Sequence, residues 1–222
     1  MVDALIFDFD GVILDTETPD FSTWQEVFRD HGTELDRSVW TSLIGRGHGA
    51  FDMYGHLEER AARTVDRESV GVERRRRYLE LVASNPLLPG VLDYVLGAKR
   101  IGLKLGLASS SSRNWVDGHL TARDLVHHFD CIKGSDDVAN LKPDPELYLS
   151  ALEQLDARAE SSMAIEDSPV GVAAAKAAGL FCVAVPNPMT TGLPLEEADL
   201  VLDSLADVTL DALVEMAVRA RA

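Results

Sequence analysis

The sequence predicts an α/β chain built on a parallel sheet, and three observations carry that prediction. From about residue 103 onward, short apolar runs alternate with helical patterns. The runs are apolar throughout rather than on alternate residues, as strands buried on both faces are. Between about residues 19 and 85 the pattern is helical, with no clear strand. Together these features predict a Rossmann-like parallel sheet with helices on both faces, plus a small all-helical cap inserted after the first strand.

The elements follow in order. Ala4-Leu5-Ile6-Phe7 reads as the first strand. The helical insertion comes next, and Pro86 and Pro89-Gly90 mark the return to the main domain. The expected limits are therefore 1–15 and 87–222 for the core and 16–86 for the cap. Leu103–Ala108 reads as a strand, Asn114–Arg123 as a helix, Phe129–Lys133 as a strand and Pro145–Leu155 as a helix. Met163–Ile165 is a strand, Pro169–Ala178 a helix closed by Gly179, and Phe181–Val185 a strand. The insertion carries the run Arg74-Arg75-Arg76-Arg77, read as a solvated helix face.

Bulk composition narrows the function. The 222 residues are 46% hydrophobic and 26% charged, ordinary values for a globular chain with room for one core and a small appended unit. A formal net charge of -16 repels polyphosphate backbones, so nucleic acid is not an expected partner. The same field opposes any anionic substrate, which must then be captured by a local site. No apolar stretch is long enough to span a bilayer, and no basic flank or small-residue cleavage site precedes the first strand. The expectation is a cytoplasmic protein, monomeric, without a membrane partner. Cys131 and Cys182 lie in strand-like contexts and read as buried free thiols.

In open parallel sheets, ligands bind beyond the carboxyl ends of the strands. Asp8, Asp10 and Gly11 follow the first strand, and Ser109-Ser110-Ser111-Ser112 the second. Lys142-Pro143 comes after the third, and Glu166-Asp167-Ser168 after the fourth. Acids gathered at one rim repel one another unless a cation neutralises them. Oxygen-only donors suit a hard ion, and beside phosphate the usual one is Mg²⁺. Hydroxyls, a fixed ammonium and N–H groups at a helix start are phosphate partners. A carboxylate can attack phosphorus, and a second can serve as acid and base.

Asp8-Phe9-Asp10-Gly11-Val12, Leu107-Ala108-Ser109, Lys142-Pro143-Asp144-Pro145 and Glu166-Asp167-Ser168 resemble the four sequence motifs of the haloacid dehalogenase superfamily. The stretch Gly11–Glu17 and the helical insertion resemble its β-phosphoglucomutase-like branch, and the likeness runs from Ala4 to about Val185. The resemblance implies that Asp8 is the nucleophile and Asp10 the acid and base. It implies Asp8, Asp167, Glu166 and the Asp10 backbone carbonyl around Mg²⁺. It places Ser109, Ser110 and Lys142 on the phosphoryl group of a small phosphorylated substrate.

Departures within the superfamily choose among reactions. Dehalogenases lack the second aspartate and work without Mg²⁺, so Asp10 and Glu166-Asp167 argue against dehalogenation. Phosphonatases use a cap lysine, whereas the first lysine here is Lys99. The mutases carry a histidine five residues after the aspartate that matches Asp15, and Asp20 stands there. That points to hydrolysis: a Mg²⁺-dependent phosphatase of sugar phosphates or similar metabolites, working through an aspartyl-phosphate. A β-phosphoglucomutase-type mutase and, distantly, a non-catalytic binding module are the alternatives. Asp20 and Arg46 are the expected cap contacts to substrate, with His48 read as a polar loop residue.

Overall fold

The computed structural model describes residues 2–44 and 51–221. Six parallel strands form one sheet in the order β3-β2-β1-β4-β5-β6. They are β1 Ala4–Phe7, β2 Lys104–Ala108, β3 Cys131–Lys133, β4 Ser162–Glu166, β5 Phe181–Ala184 and β6 Leu200–Val201. The first strand thus lies at the centre. Phe7 is level with Leu107 on one side and Ile165 on the other. That register brings the residues that follow β1, β2 and β4 to one rim.

Side chains alternate between two apolar layers, because successive residues of a strand face opposite ways. Leu5, Phe7, Leu105, Leu107 and Ile165 point to one layer, which α5 (Val91–Ile101), α6 (Arg113–Thr121) and α9 (Leu210–Ala220) cover. Ala4, Ile6, Ala164 and Cys182 point to the other, under α7 (Glu146–Leu155) and α8 (Pro169–Ala177). Cys131 and Cys182 are buried free thiols. Strands β2, β1 and β4 stand between them, which rules out a disulfide.

Among its described residues the insertion holds four helices: α1 Glu17–Asp30, α2 Arg37–Thr41, α3 Met53–Ala61 and α4 Arg67–Ser84. Helices α1, α2 and α3 enclose a third apolar cluster, with Trp24, Phe28, Trp40 and Leu57 among its buried members, whereas Tyr78 and Val82 of α4 pack in the layer under α5. Met189, from the loop after β5, joins that cluster from the core side. The two linkers run side by side. Leu14 and Leu87 form an antiparallel bridge, Leu88 N–H donates to the Ile13 carbonyl at 3.0 Å, and Asn85 Nδ2 donates to the Asp15 carbonyl at 2.8 Å.

Two expected strand starts lie later in the structure. The strand expected from Phe129 begins at Cys131, because the Asp130 carboxylate, not a ladder carbonyl, accepts the Leu105 N–H at 2.8 Å. Leu103 ends a helix rather than starting a strand, since its N–H donates to the Ala98 carbonyl at 2.9 Å. Helices α5 and α9 and the short strand β6 were not named by the sequence reading.

Replacing Leu105, fully buried in the layer between the sheet and α5, tests this packing. Leu105→Ala is expected to lower unfolding free energy by about 2–5 kcal/mol, read from urea unfolding.

Candidate active site

The rim beyond β1, β2 and β4 is a cavity of about 500 Å³ between the sheet and the helical insertion. Asp8 continues the ladder of β1, donating its N–H to the Ile165 carbonyl at 2.9 Å. The chain then turns in one tight coil, with the N–H groups of Ile13 and Leu14 pointing back to the Phe9 carbonyl at 2.9 and 3.3 Å. Gly11 makes the turn at φ 82°, a region that a side chain disfavours. Space forbids one as well: a Cβ there would lie 2.4 Å from Asp167 Oδ2 and 2.5 Å from Asn187 Nδ2.

Lys142 is the electrostatic centre. Its buried ammonium donates to Asp8 Oδ1 and to Glu166 Oε1, each at 2.6 Å. Burial works against that charge, but Asp8 and Glu166 outweigh it and hold Lys142 protonated above the ordinary lysine range. The Tyr148 hydroxyl also donates to Glu166 Oε1, at 2.5 Å. On the other side, Asn187 Nδ2 donates to Asp167 Oδ2 at 2.6 Å and to the Gly11 carbonyl at 3.2 Å.

Asp8, Glu166 and Asp167 each offer a carboxylate oxygen, and these oxygens lie within 4.8 Å of one another. Burial, with repulsion from Asp8 and Glu166, pushes the Asp167 carboxyl well up. Asp8 is pushed up by burial and, less, by Glu166 and Asp10, against the pull of Lys142. Three carboxylates face one ammonium, which leaves a formal excess of two negative charges. An oxygen-only donor set with that excess fits a hard divalent cation. The Asp10 carboxylate is not in this group. It accepts from Thr16 Oγ1 and Trp115 Nε1 on Oδ1, and from Ser111 Oγ and Ser109 Oγ on Oδ2.

The residues expected on phosphate sit at the same cavity. Ser109 is buried at the end of β2, and Ser110 lines the cavity with a buried Oγ that has no partner among the described residues. The helix-start anion site is weaker than the sequence suggests. The Ser111 N–H goes to Ser109 Oγ, the Arg113 N–H to Asp136 and the Trp115 N–H to Ser112 Oγ, at 3.0, 2.9 and 3.3 Å.

The cap wall corrects the arginine reading. Arg76 and Arg77 are solvated and pair with Glu73, Glu80 and Glu26. Arg74 and Arg75 instead line the cavity, because a helix turns successive residues to different faces. Arg74 forms an ion pair with Asp20, donates to Thr23 Oγ1 at 3.2 Å and lies 4.4 Å from the centre of the Trp24 ring. Asp20 thus lines the cavity with its charge already matched. Arg75 lies over the rings of Tyr78 and Trp115, at 5.4 and 5.3 Å. Arg46 and His48 lie outside the described residues.

Sequence reading missed Thr16, Glu17, Ser111, Trp115, Tyr148 and Asn187. Thr16 and Glu17 were within a quoted motif, Ser111 lies inside the serine run, and Trp115 follows that run. Tyr148, inside α7, and Asn187, in the loop after β5, offered no signal beyond being polar residues.

Known proteins resemble this chain over most of its length. A family model described as haloacid dehalogenase-like hydrolase matches residues 5–185. The chain belongs to the haloacid dehalogenase-like hydrolases. Among relatives in this hydrolase family, "Putative phosphatase YhcW" of Bacillus subtilis (strain 168) is 44% identical over 97% of both chains. "Phosphorylated carbohydrates phosphatase" of Thermotoga maritima is 33% identical, over 97% of this chain and all of that one. The crystal structure of β-phosphoglucomutase from Clostridium difficile superposes with a TM-score of 0.77 at 26% identity, covering 99% of this hydrolase and 98% of that chain.

Two outcomes test the site. Gly11→Ala is expected to cost about 1–3 kcal/mol in urea unfolding, since both φ and space oppose a methyl. Glu17 is pushed from an ordinary 4.5 up to about 8 by burial and by Asp10, Asp20 and Asp15. Between those values the folded protein keeps a proton that the unfolded chain has lost, so stability falls as pH rises from 4.5 to 8. Glu17→Gln is expected to flatten that slope in thermal melts, raising the midpoint at the alkaline end and leaving it unchanged at the acid end.

Proposed function

We propose that this hydrolase is a Mg²⁺-dependent phosphatase of small phosphorylated metabolites, above all sugar phosphates. The observation that carries the reading is the Asp8–Lys142–Glu166–Asp167 cluster, opening on a cavity of about 500 Å³ beneath a helical lid. The relatives named as phosphatases support it. Residues 1–15 and 87–222 form the chemical core and 16–86 the specificity cap.

Asp8 is the nucleophile. Lys142 pulls it toward the carboxylate form, against burial, and the end of a fixed strand presents it. Ser109, Ser110 and Lys142 bind the phosphoryl group. Asp8, Asp167, the Asp10 backbone carbonyl and, as a further ligand or as support for the others, Glu166 would hold Mg²⁺, which would supply charge neutralisation of the transferring group. Attack by Asp8 gives an aspartyl-phosphate while Asp10 protonates the leaving oxygen. Asp10 then takes a proton from the water that releases phosphate.

Asp20 favours hydrolysis over the phosphoglucomutase reaction. Where the mutases carry a histidine, this chain has a carboxylate tied to Arg74. That pair offers no imidazole to gate Asp10, and a phosphatase, unlike a mutase, has no need to shield its aspartyl-phosphate from water.

The test is phosphate release from a panel of sugar phosphates with Mg²⁺ and with excess chelator. The panel includes β-glucose 1-phosphate with a trace of bisphosphate, also followed for glucose 6-phosphate. Release that stops with chelator, and that Asp8→Asn lowers by more than about 10³-fold while melting is unchanged, is the expected result. Isomerisation without release would show a mutase, and full activity of Asp8→Asn would remove the nucleophile assignment.

A further inference from the structure

The four donors to Asp10 are not equivalent. Oδ2 accepts from two serine hydroxyls, Ser111 at 2.6 Å and Ser109 at 3.3 Å. A hydroxyl can rotate and accept instead. Oδ1 accepts from Thr16 Oγ1 at 2.8 Å and from the indole N–H of Trp115 at 3.1 Å. An indole N–H can only donate. The oxygen facing it is therefore kept as an acceptor, whatever the protonation of the other.

The indole is itself held. Its ring stacks on Tyr78 of the cap helix α4, with centroids 5.8 Å apart and planes 10° from parallel. His119 abuts its other side edge-on at 4.1 Å, and Arg75 covers it at 5.3 Å. Of the four donors to Asp10, Trp115 is the one stacked against this cap helix.

We propose that Trp115 is a positioning residue for Asp10: its indole N–H pins Oδ1 and so assigns the transferable proton to Oδ2. The inference rests on Asp10 being the acid and base, a reading that does not itself require a tryptophan. In the first step the bond from Asp8 to phosphorus forms as the bond from phosphorus to the leaving oxygen breaks. The proton on Asp10 Oδ2 goes to that leaving oxygen, and Asp10 becomes a carboxylate. In the second step Oδ2 takes a proton from water as the remaining hydroxide bonds to phosphorus. The Asp8–phosphorus bond breaks, phosphate departs and both residues return to their starting forms. Ser109 and Ser111 follow these changes by rotating, while the Trp115 bond to Oδ1 stays in place throughout.

Leaving-group dependence tests this. A sugar alkoxide needs a proton to depart, whereas 4-nitrophenolate does not. Trp115→Phe keeps a flat ring on Tyr78 and removes the N–H. It is expected to lower kcat/KM for the fastest sugar phosphate of the panel about tenfold, but for 4-nitrophenyl phosphate less than about twofold. Trp115→His, which retains a ring N–H, is expected to recover most of the sugar phosphate rate. Asp10→Asn is expected to shift the same ratio further in the same direction. If Asp10→Asn leaves the ratio unchanged, the acid–base reading of Asp10 fails, and this inference with it. If Asp10→Asn shifts the ratio but Trp115→Phe lowers both substrates equally, or neither, Trp115 only packs and the inference is overturned. A His variant no better than the Phe variant overturns it too.

Discussion

The ammonium of Lys142, seated between Asp8 and Glu166, is the interaction on which the site depends. It is buried, and so are both its partners. A buried carboxylate pair without a cation is costly enough that one member protonates instead. Lys142 offsets part of that cost for the pair it touches, and Tyr148 adds a donor to Glu166. Asp167 is left on the far side with Asn187, close enough to the others to keep an excess of negative charge there. The arrangement is thus half neutralised by the protein, and the remaining half suits a divalent cation. The sheet fixes all of this, because β1, β2 and β4 run parallel in register and end level.

The cap contributes a second, differently built wall. Its own apolar cluster seats α1, while Tyr78 and Val82 seat α4 on the core, and both helices present side chains to the cavity. What they present is mixed in sign: Asp20 paired to Arg74, Arg75 lying on aromatic faces, and Glu17 among other acids. A wall of this kind is polar without being uniformly charged. It suits a substrate with many hydroxyls, since hydroxyls can both donate and accept. The chain's overall negative charge then matters less at the point of binding than the local pattern does.

Much of the core's chemistry was legible in the sequence because it follows one rule. Residues at the carboxyl ends of parallel strands share a rim, so Asp8, Ser109, Lys142 and Asp167 can be grouped before any coordinates are known. Residues whose place depends on the packing of one helix against another were not legible. The four arginines are the clearest case: nothing in the run distinguishes Arg75 from Arg76, and only the facing of α4 toward α6 separates a cavity wall from a solvated surface. Trp115 was hidden for the same reason, since its partners come from three separate segments. The short strand β6 has too few residues to carry a periodic signal. Helix α9, by contrast, had one in Leu210, Leu213 and Ala217 behind the capping Thr209, whose hydroxyl accepts the Ala212 N–H.

The bridge between Leu14 and Leu87 joins the two ends of the insertion where it leaves and re-enters the core. Chain ends held that close can be spanned by a short turn, and the entropy of closing a longer loop rises only slowly with its length. The sheet therefore carries its insertion with little regard to what lies inside it. Helices there can be lengthened, shortened or replaced while the strand register and the level ends of β1, β2 and β4 stay as they are. In a molecule divided this way, the chemistry and the choice of substrate can evolve at separate rates.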